Sequence, residues 1–277
     1  MLETAATKDA LRRAFPKSVA YAAHFQALFQ NEVELRLLPW LCRHNEVAID
    51  VGAFTGTYTV GLSVYAKSVI AVEPQPWQAA ALRWSMPGNV EVVEAALSST
   101  TGKAQMRLSS PRGGSMSRLV DDCSPATNER DISVRLLRLD DLAARHVGFV
   151  KIDAEGHELE VLRGASETLR VDQPNILIEA EDRYGAGAVQ GVVGFLGNCG
   201  YDAFFVRRGS IRPIEEFDAE RDQDPKLLVG GQRRAYADYI NNFIFTHRDR
   251  RADWPAAVPP PWRAAGATMA ALCMRRG

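Results

Sequence analysis

The chain has 277 residues, 46% of them hydrophobic, with 33 basic against 34 acidic side chains and a formal charge of −1. That size and apolar content allow one substantial core, and the charge balance excludes a general electrostatic pull toward a nucleic-acid backbone or an anionic membrane. No run of roughly 18 apolar residues, the length a membrane span needs, is present, and a soluble, cytoplasmic protein is expected. Cys42, Cys123, Cys199 and Cys273 form no C-x-x-C pair, which speaks against a zinc site or a disulfide framework and for reduced thiols.

Residues 1–44 read as a helical appendage. A helix over residues 8–15 stops at Pro16, an apolar stretch follows over 19–29, and Val33, Leu37 and Leu41 share one helical face, kinked at Pro39. From Val47 the period changes. Short apolar runs at 47–51, 69–72, 90–93, 149–152 and 176–178 alternate with helical patterns, one of them carrying Leu159, Leu162, Ala165 and Leu169. Continuous apolar strands separated by helices predict an α/β fold: a doubly wound, mainly parallel seven-stranded sheet filling residues 45–247. Within it, residues 109–115 read as a loop and 132–136 as a half-exposed strand. A Gly-rich stretch follows over 185–200, and 203–206 and 243–245 close the sheet, with antiparallel pairing predicted. Residues 248–277 are rich in Pro, Ala and Arg without a period and are expected to be a partly disordered tail.

The chemistry is concentrated where strands end. Val47-Ala48-Ile49-Asp50-Val51-Gly52-Ala53-Phe54-Thr55-Gly56-Thr57-Tyr58-Thr59 is a buried strand running through a two-glycine turn into a helix, an arrangement that binds ligands at the carboxyl edge of a sheet. A dinucleotide would use the same architecture. However, the glycines follow G-x-x-x-G rather than G-x-G-x-x-G, and the Asp50 carboxylate would repel a pyrophosphate. The amino-acid end of S-adenosylmethionine carries an ammonium group that suits Asp50 instead. Glu73 ends the next strand, where a carboxylate can accept both ribose hydroxyls.

A second cluster, Lys151-Ile152-Asp153-Ala154-Glu155-Gly156-His157-Glu158, ends the fourth strand. Methyl transfer to an alcohol needs an acceptor oxygen in line with the methyl carbon and a group to take its proton. Asp153, Glu155 and His157 are the candidate catalytic residues, with Asp153 beside the methyl and His157 sharing the proton. Glu158 reads equally well as a stabiliser of the helix N-terminus. The D-x-E-x-H spacing also resembles a hard-metal set. Mg²⁺ usually takes one or two carboxylates plus waters, so Mg²⁺ stays an open option with no ligand assigned. Glu179 and Glu181 end the fifth strand on a shared face, as acceptor contacts or as solvated acids, and residues 109–117 form either a lid or an ordinary surface loop.

Together, residues 50–59, Val72-Glu73-Pro74, residues 89–97, Leu139-Asp140-Asp141-Leu142 and the Lys151 to Glu158 cluster resemble the FkbM family of methyltransferases over residues 33–246. The resemblance implies a class I methyltransferase fold and S-adenosylmethionine held by Asp50, Gly52, Ala53, Phe54, Thr55, Gly56, Thr59, Glu73, Pro74, Ala95, Ala96 and Asp153. It also implies O-methylation of a hydroxyl on a sugar, a saccharide or a secondary metabolite. The family often has Asn where this chain has Phe54. Two other readings compete: a module that senses S-adenosylmethionine without turnover, and an NAD-dependent oxidoreductase. The acids around Asp153 disfavour the first, and Asp50 with the missing third glycine disfavours the second. The N-terminal helices offer either a homodimer contact or a lid.

Overall fold

The computed structural model describes residues 16–30, 32–109, 114–120, 131–229, 232–233, 239–250, 255 and 257–274. Helix α1 (Pro16–Phe29) is followed by a 3-10 turn over Val33–Leu37 and a short helix over Leu38–Leu41. Pro39 sits in the first turn of that short helix, where its missing N–H costs nothing, so the expected kink is a switch from 3-10 to α geometry. The helix expected over residues 8–15 lies outside the described residues.

The doubly wound unit runs β1 (Val47–Val51), α2 (Thr57–Tyr65), β2 (Ser68–Val72), α3 (Pro76–Ser85) and β3 (Val90–Val93). A four-strand insertion follows, with β4 (Ala96–Leu97), β5 (Gly102–Arg107), β6 (Arg118–Val120) and β7 (Asp131–Leu137). The chain then continues through β8 (Val147–Ile152), α4 (Glu158–Arg163), α5 (Ser166–Val171), β9 (Asn175–Glu179), α6 (Ala188–Asn198), β10 (Tyr201–Arg207), β11 (Ser210–Pro213), β12 (Asn242–His247) and α7 (Pro261–Met274).

The main sheet has the order β11-β10-β12-β9-β8-β1-β2-β3. Its five strands from β9 to β3 are parallel, and β12, β10 and β11 add on by antiparallel pairing. The closing strands pair as the apolar runs predict. The sheet has eight strands rather than seven, because the β10–β11 hairpin adds a short edge. The half-exposed strand at 132–136 is β7, and it belongs to a separate small sheet of order β4-β7-β5-β6.

Strand alternation divides the core into two layers. Ile49, Val51, Ile70, Val150, Ile152 and Ile176 face α4, α5 and α6, while Ala48, Val69, Phe149, Leu177 and Ile244 face the other way. On that second face lie α2 and the N-terminal residues Leu28, Leu35, Leu37, Leu38 and Leu41, all buried. The described part of the stretch read as an appendage therefore packs into the core, sharing one of the two helical layers with α2. Residues 261–274, expected to be disordered, form α7, which packs on α1 and α2 through Ala264 and through a Tyr65–Thr268 hydroxyl contact of 3.2 Å. The single helix expected after Glu158 is broken at Gly164, whose Cα lies so close to the Ser98 carbonyl that a Cβ would stand 2.1 Å away. Val161 rather than Leu159 joins Leu162, Ala165 and Leu169 in the core.

Candidate active site

β1 leads to β2 on one side of the sheet and β8 leads to β9 on the other, so the carboxyl ends of β1 and β8 flank the point where the winding reverses. A cavity of about 320 Å³ opens there. At its centre is the turn after β1, anchored by the Gly52 and Ala53 N–H groups, which both donate to the Val72 carbonyl at 2.9 and 3.1 Å. Gly52 has φ 76°, and a Cβ on it would stand 2.0 Å from the Asp153 carbonyl oxygen. Only glycine fits, and the space is filled by the end of β8 rather than by cofactor. Phe54 has φ 43°, a conformation that Asn tolerates and an aromatic residue rarely adopts.

Asp50, Gly52, Ala53, Phe54, Thr55, Glu73, Pro74, Ala95, Ala96, Asp153, Glu155 and His157 all line this cavity. Gly56 and Thr59 stand behind its wall. Gly56, at φ 84°, caps α2 and would meet the Met86 side chain at 2.6 Å if it carried a Cβ. The Thr59 hydroxyl donates to Asp50 Oδ2 at 2.5 Å. Both therefore shape the site from the second layer of packing.

Burial governs the charges. Asp50 is 2% exposed, and its carboxyl is pushed up to about 6 by desolvation, against the opposing pull of Thr59 and of Lys151, its partner in register on β8. Glu73, 1% exposed, is pushed up to about 7 by desolvation, although its two oxygens accept from the Phe54 N–H at 2.9 Å and the Gln75 N–H at 2.8 Å. It thus stitches the glycine turn to the end of β2. Burial also raises Asp153. The Lys151 ammonium opposes that shift, and the charges of Glu155 and Glu158 add to it. Glu155 is raised by burial too, and its carboxylate accepts from the Tyr184 hydroxyl.

His157 caps α4 and contacts the Ser98 hydroxyl at 2.9 Å through Nε2; the proton sharing expected between Asp153 and His157 has no hydrogen bond to carry it in this structure. Glu158 is outside the cavity and accepts from the Ala154 and Gly156 N–H groups at 3.3 and 2.9 Å, the helix-start role. Glu179 lines the cavity, but Glu181 is buried against Arg183 (2.8 Å) and the Tyr239 hydroxyl. Of residues 109–117, Arg112 lies outside the described residues. Gly114 is clamped by Gln75, with the side-chain amide donating to the Gly114 carbonyl and accepting from its N–H, both at 3.2 Å.

Sequence reading missed the opposite wall. Glu32, just after α1, accepts from the Tyr58 hydroxyl at 2.9 Å and from Asn242 Nδ2 at 3.3 Å. Lys151, 2% exposed, stands 5.1 Å from the Tyr58 ring centroid and within electrostatic reach of Asp153, Glu179, Glu32 and Asp50. Lys151 was legible as a neighbour of Asp153 on the same strand face, but Glu32 reaches the cleft only through tertiary packing. Among the described residues, no three His, Cys, Asp or Glu side chains are grouped to hold a metal ion.

A doubly wound parallel sheet closed by antiparallel strands, with an acid-lined cleft at its winding reversal, defines a class I methyltransferase with a Rossmann-like fold. Residues 50–203 match the methyltransferase FkbM domain, and the chain belongs to that family. Among solved structures, it is similar to methyltransferase FkbM from Methylobacillus flagellatus KT, at 15% identity and TM-score 0.47 over 73% of this chain and 44% of that one. It is also similar to precorrin-6y C5,15-methyltransferase from Geobacter metallireducens GS-15, at 15% identity and TM-score 0.43 over 77% and 86% of the two chains. An rRNA methylase from Streptococcus thermophilus matches at 11% identity and TM-score 0.43 over 77% and 93%. The chain spans less than half the length of the Methylobacillus protein. No curated protein sequence matches. These distant likenesses leave the acceptor to be read from this chain's own residues.

Proposed function

We propose that the chain transfers the methyl group of S-adenosylmethionine to a hydroxyl of a small polar acceptor, a sugar, saccharide or secondary metabolite, with Asp153 taking the acceptor proton. The observation that carries this reading is the pairing of Asp153 with the glycine turn. Its backbone N–H donates to the Val51 carbonyl at 3.1 Å, so a carboxyl of raised proton affinity stands at the edge of the cofactor turn.

The residues present suit the cofactor. Asp50 and Glu73 present carboxyls to the cavity that suit an ammonium group and ribose hydroxyls, while Ala95, Ala96, Leu97, Met106 and Leu119 give an apolar slot for a purine. A pyrophosphate would meet Asp50, Glu73 and Asp153 together, which disfavours a dinucleotide. S-adenosylmethionine supplies an electrophilic methyl on a sulfonium, and the broken carbon–sulfur bond returns its electron pair to sulfur. Asp153 accepts the hydroxyl proton as the new oxygen–carbon bond forms, and the Lys151 ammonium opposes the burial that raises its proton affinity. Among the described residues no helix is long and apolar enough to cross a membrane, which is compatible with a cytoplasmic enzyme working on such an acceptor.

The test is release of S-adenosylhomocysteine with a panel of hydroxylated acceptors. Asp153→Asn is expected to keep cofactor affinity and lower turnover by about 10²–10⁴-fold. Full activity of that variant on the same acceptor contradicts the assignment, and loss of cofactor binding moves Asp153 to the cofactor.

A further inference from the structure

The family match ends at residue 203 and begins at residue 50, yet three polar residues outside it converge on the cleft. Glu32 comes from the segment after α1, Asn241 from just before β12 and Asn242 from its first position. Asn242 Nδ2 donates to Glu32 at 3.3 Å, and Asn241 Nδ2 donates to Glu179 at 2.7 Å. Glu32 lines the cavity together with Lys151, Asp153 and Glu179, and the two asparagines reach it only as hydrogen-bond partners of Glu179 and Glu32. Glu32 and the asparagines lie outside the matched domain, and acceptor choice is expected to reside in such a wall rather than in the shared fold.

Its chemistry is one-sided. Glu32, Asp153, Glu155 and Glu179 all line the cavity, against the buried Lys151 and, toward the small sheet, the exposed Arg118. Arg183 does not line the cavity; it is bonded to Glu181, stands 4.8 Å from the Tyr184 ring centroid, and offsets part of the charge of Glu155. The two asparagines hold two of these carboxylates in place. Each is more than nine-tenths buried, reaches into this group of carboxylates through its Nδ2, and leaves its amide oxygen without a donor. A surplus of half-buried carboxylates in one cleft is costly. A cation that also carries hydrogen-bond donors relieves it.

Building on the methyl-transfer reading above, we propose that the acceptor carries an ammonium group near its reacting hydroxyl, an amino sugar or another amino alcohol, held between Glu32 and Glu179 with the hydroxyl toward Asp153. A neutral polyol offers the wall donors but no charge, and an anionic acceptor is repelled. Burial and the surrounding negative charges hold Glu179 well above the usual carboxylate range, and a bound ammonium would let it ionise.

The experiment uses the full chain loaded with S-adenosylhomocysteine and titrates matched probes calorimetrically: glucosamine, N-acetylglucosamine and glucose, and ethanolamine against ethylene glycol. Binding of S-adenosylhomocysteine is measured first on every variant. If it fails on the wild type, the methyl-transfer reading fails; if it succeeds, the probes test the acceptor alone. In at least one set the amine is expected to bind about 10-fold or more tightly than its neutral counterparts, the scale of a charge-assisted hydrogen bond. Glu179→Gln and Glu32→Gln are each expected to reduce that preference several-fold. Equal or tighter binding of the neutral probes, no binding of any amine, or a preference that survives both substitutions overturns the proposal.

Discussion

Gly52 and Asp153 are pressed together at the ends of adjacent strands: a Cβ on Gly52 would stand 2.0 Å from the Asp153 carbonyl oxygen. The cofactor turn and the proposed base are therefore one rigid unit. Gly52→Ala is expected to lower stability by about 2 kcal/mol or more, combining a backbone clash with φ 76°. Denaturant midpoints check this, and a wild-type midpoint with wild-type cofactor affinity contradicts it.

Phe54 is strained for a different reason. At φ 43° its Cβ crowds its own backbone, and the family's frequent Asn at this position relieves that strain. Phe54→Asn is expected to stabilise the fold by about 0.5–1 kcal/mol, visible as a higher melting temperature. A lower melting temperature would mean that the ring's packing outweighs the backbone term.

Glu73 gives a pH dependence of known sign. Its folded value, about 7, lies above the unfolded 4.5, so the folded state holds the proton more tightly. Its stabilising contribution is full below pH 4.5 and is lost as pH rises through about 7. Glu73→Gln removes that titration at the cost of one backbone hydrogen bond. The stability of the variant relative to wild type should therefore improve steadily from pH 5 to about 8, measured by denaturant melts at several pH values. A constant difference across that range contradicts the raised value.

Strand order and the positions of Asp50, Glu73 and Asp153 were legible because a fully covered parallel sheet shows itself as apolar runs, and ligands gather where those runs end. Helix α6 was hidden by its glycines, although Val189, Val192 and Leu196 keep helical spacing in the core. Helix α7 was obscured by prolines that in fact precede it or, as Pro261, open it. The wall formed by Glu32, Asn241 and Asn242 was not legible, because those residues are brought together only by the packing of α1 and β12 across more than 200 positions of chain. His157 read as a proton carrier because spacing shows a shared sheet edge but not side-chain direction, and its imidazole turns to Ser98.

The central claim is that S-adenosylmethionine sits at the turn after β1 with its ribose on Glu73. The most direct measurement is calorimetric titration of the wild type and Glu73→Ala with S-adenosylmethionine, S-adenosylhomocysteine and NAD. One site per chain is expected for the first two and none for NAD. Glu73→Ala should weaken binding by about 10- to 100-fold through the loss of charge-assisted hydrogen bonds. Binding of NAD in place of S-adenosylmethionine, or an unchanged affinity in Glu73→Ala, would contradict it.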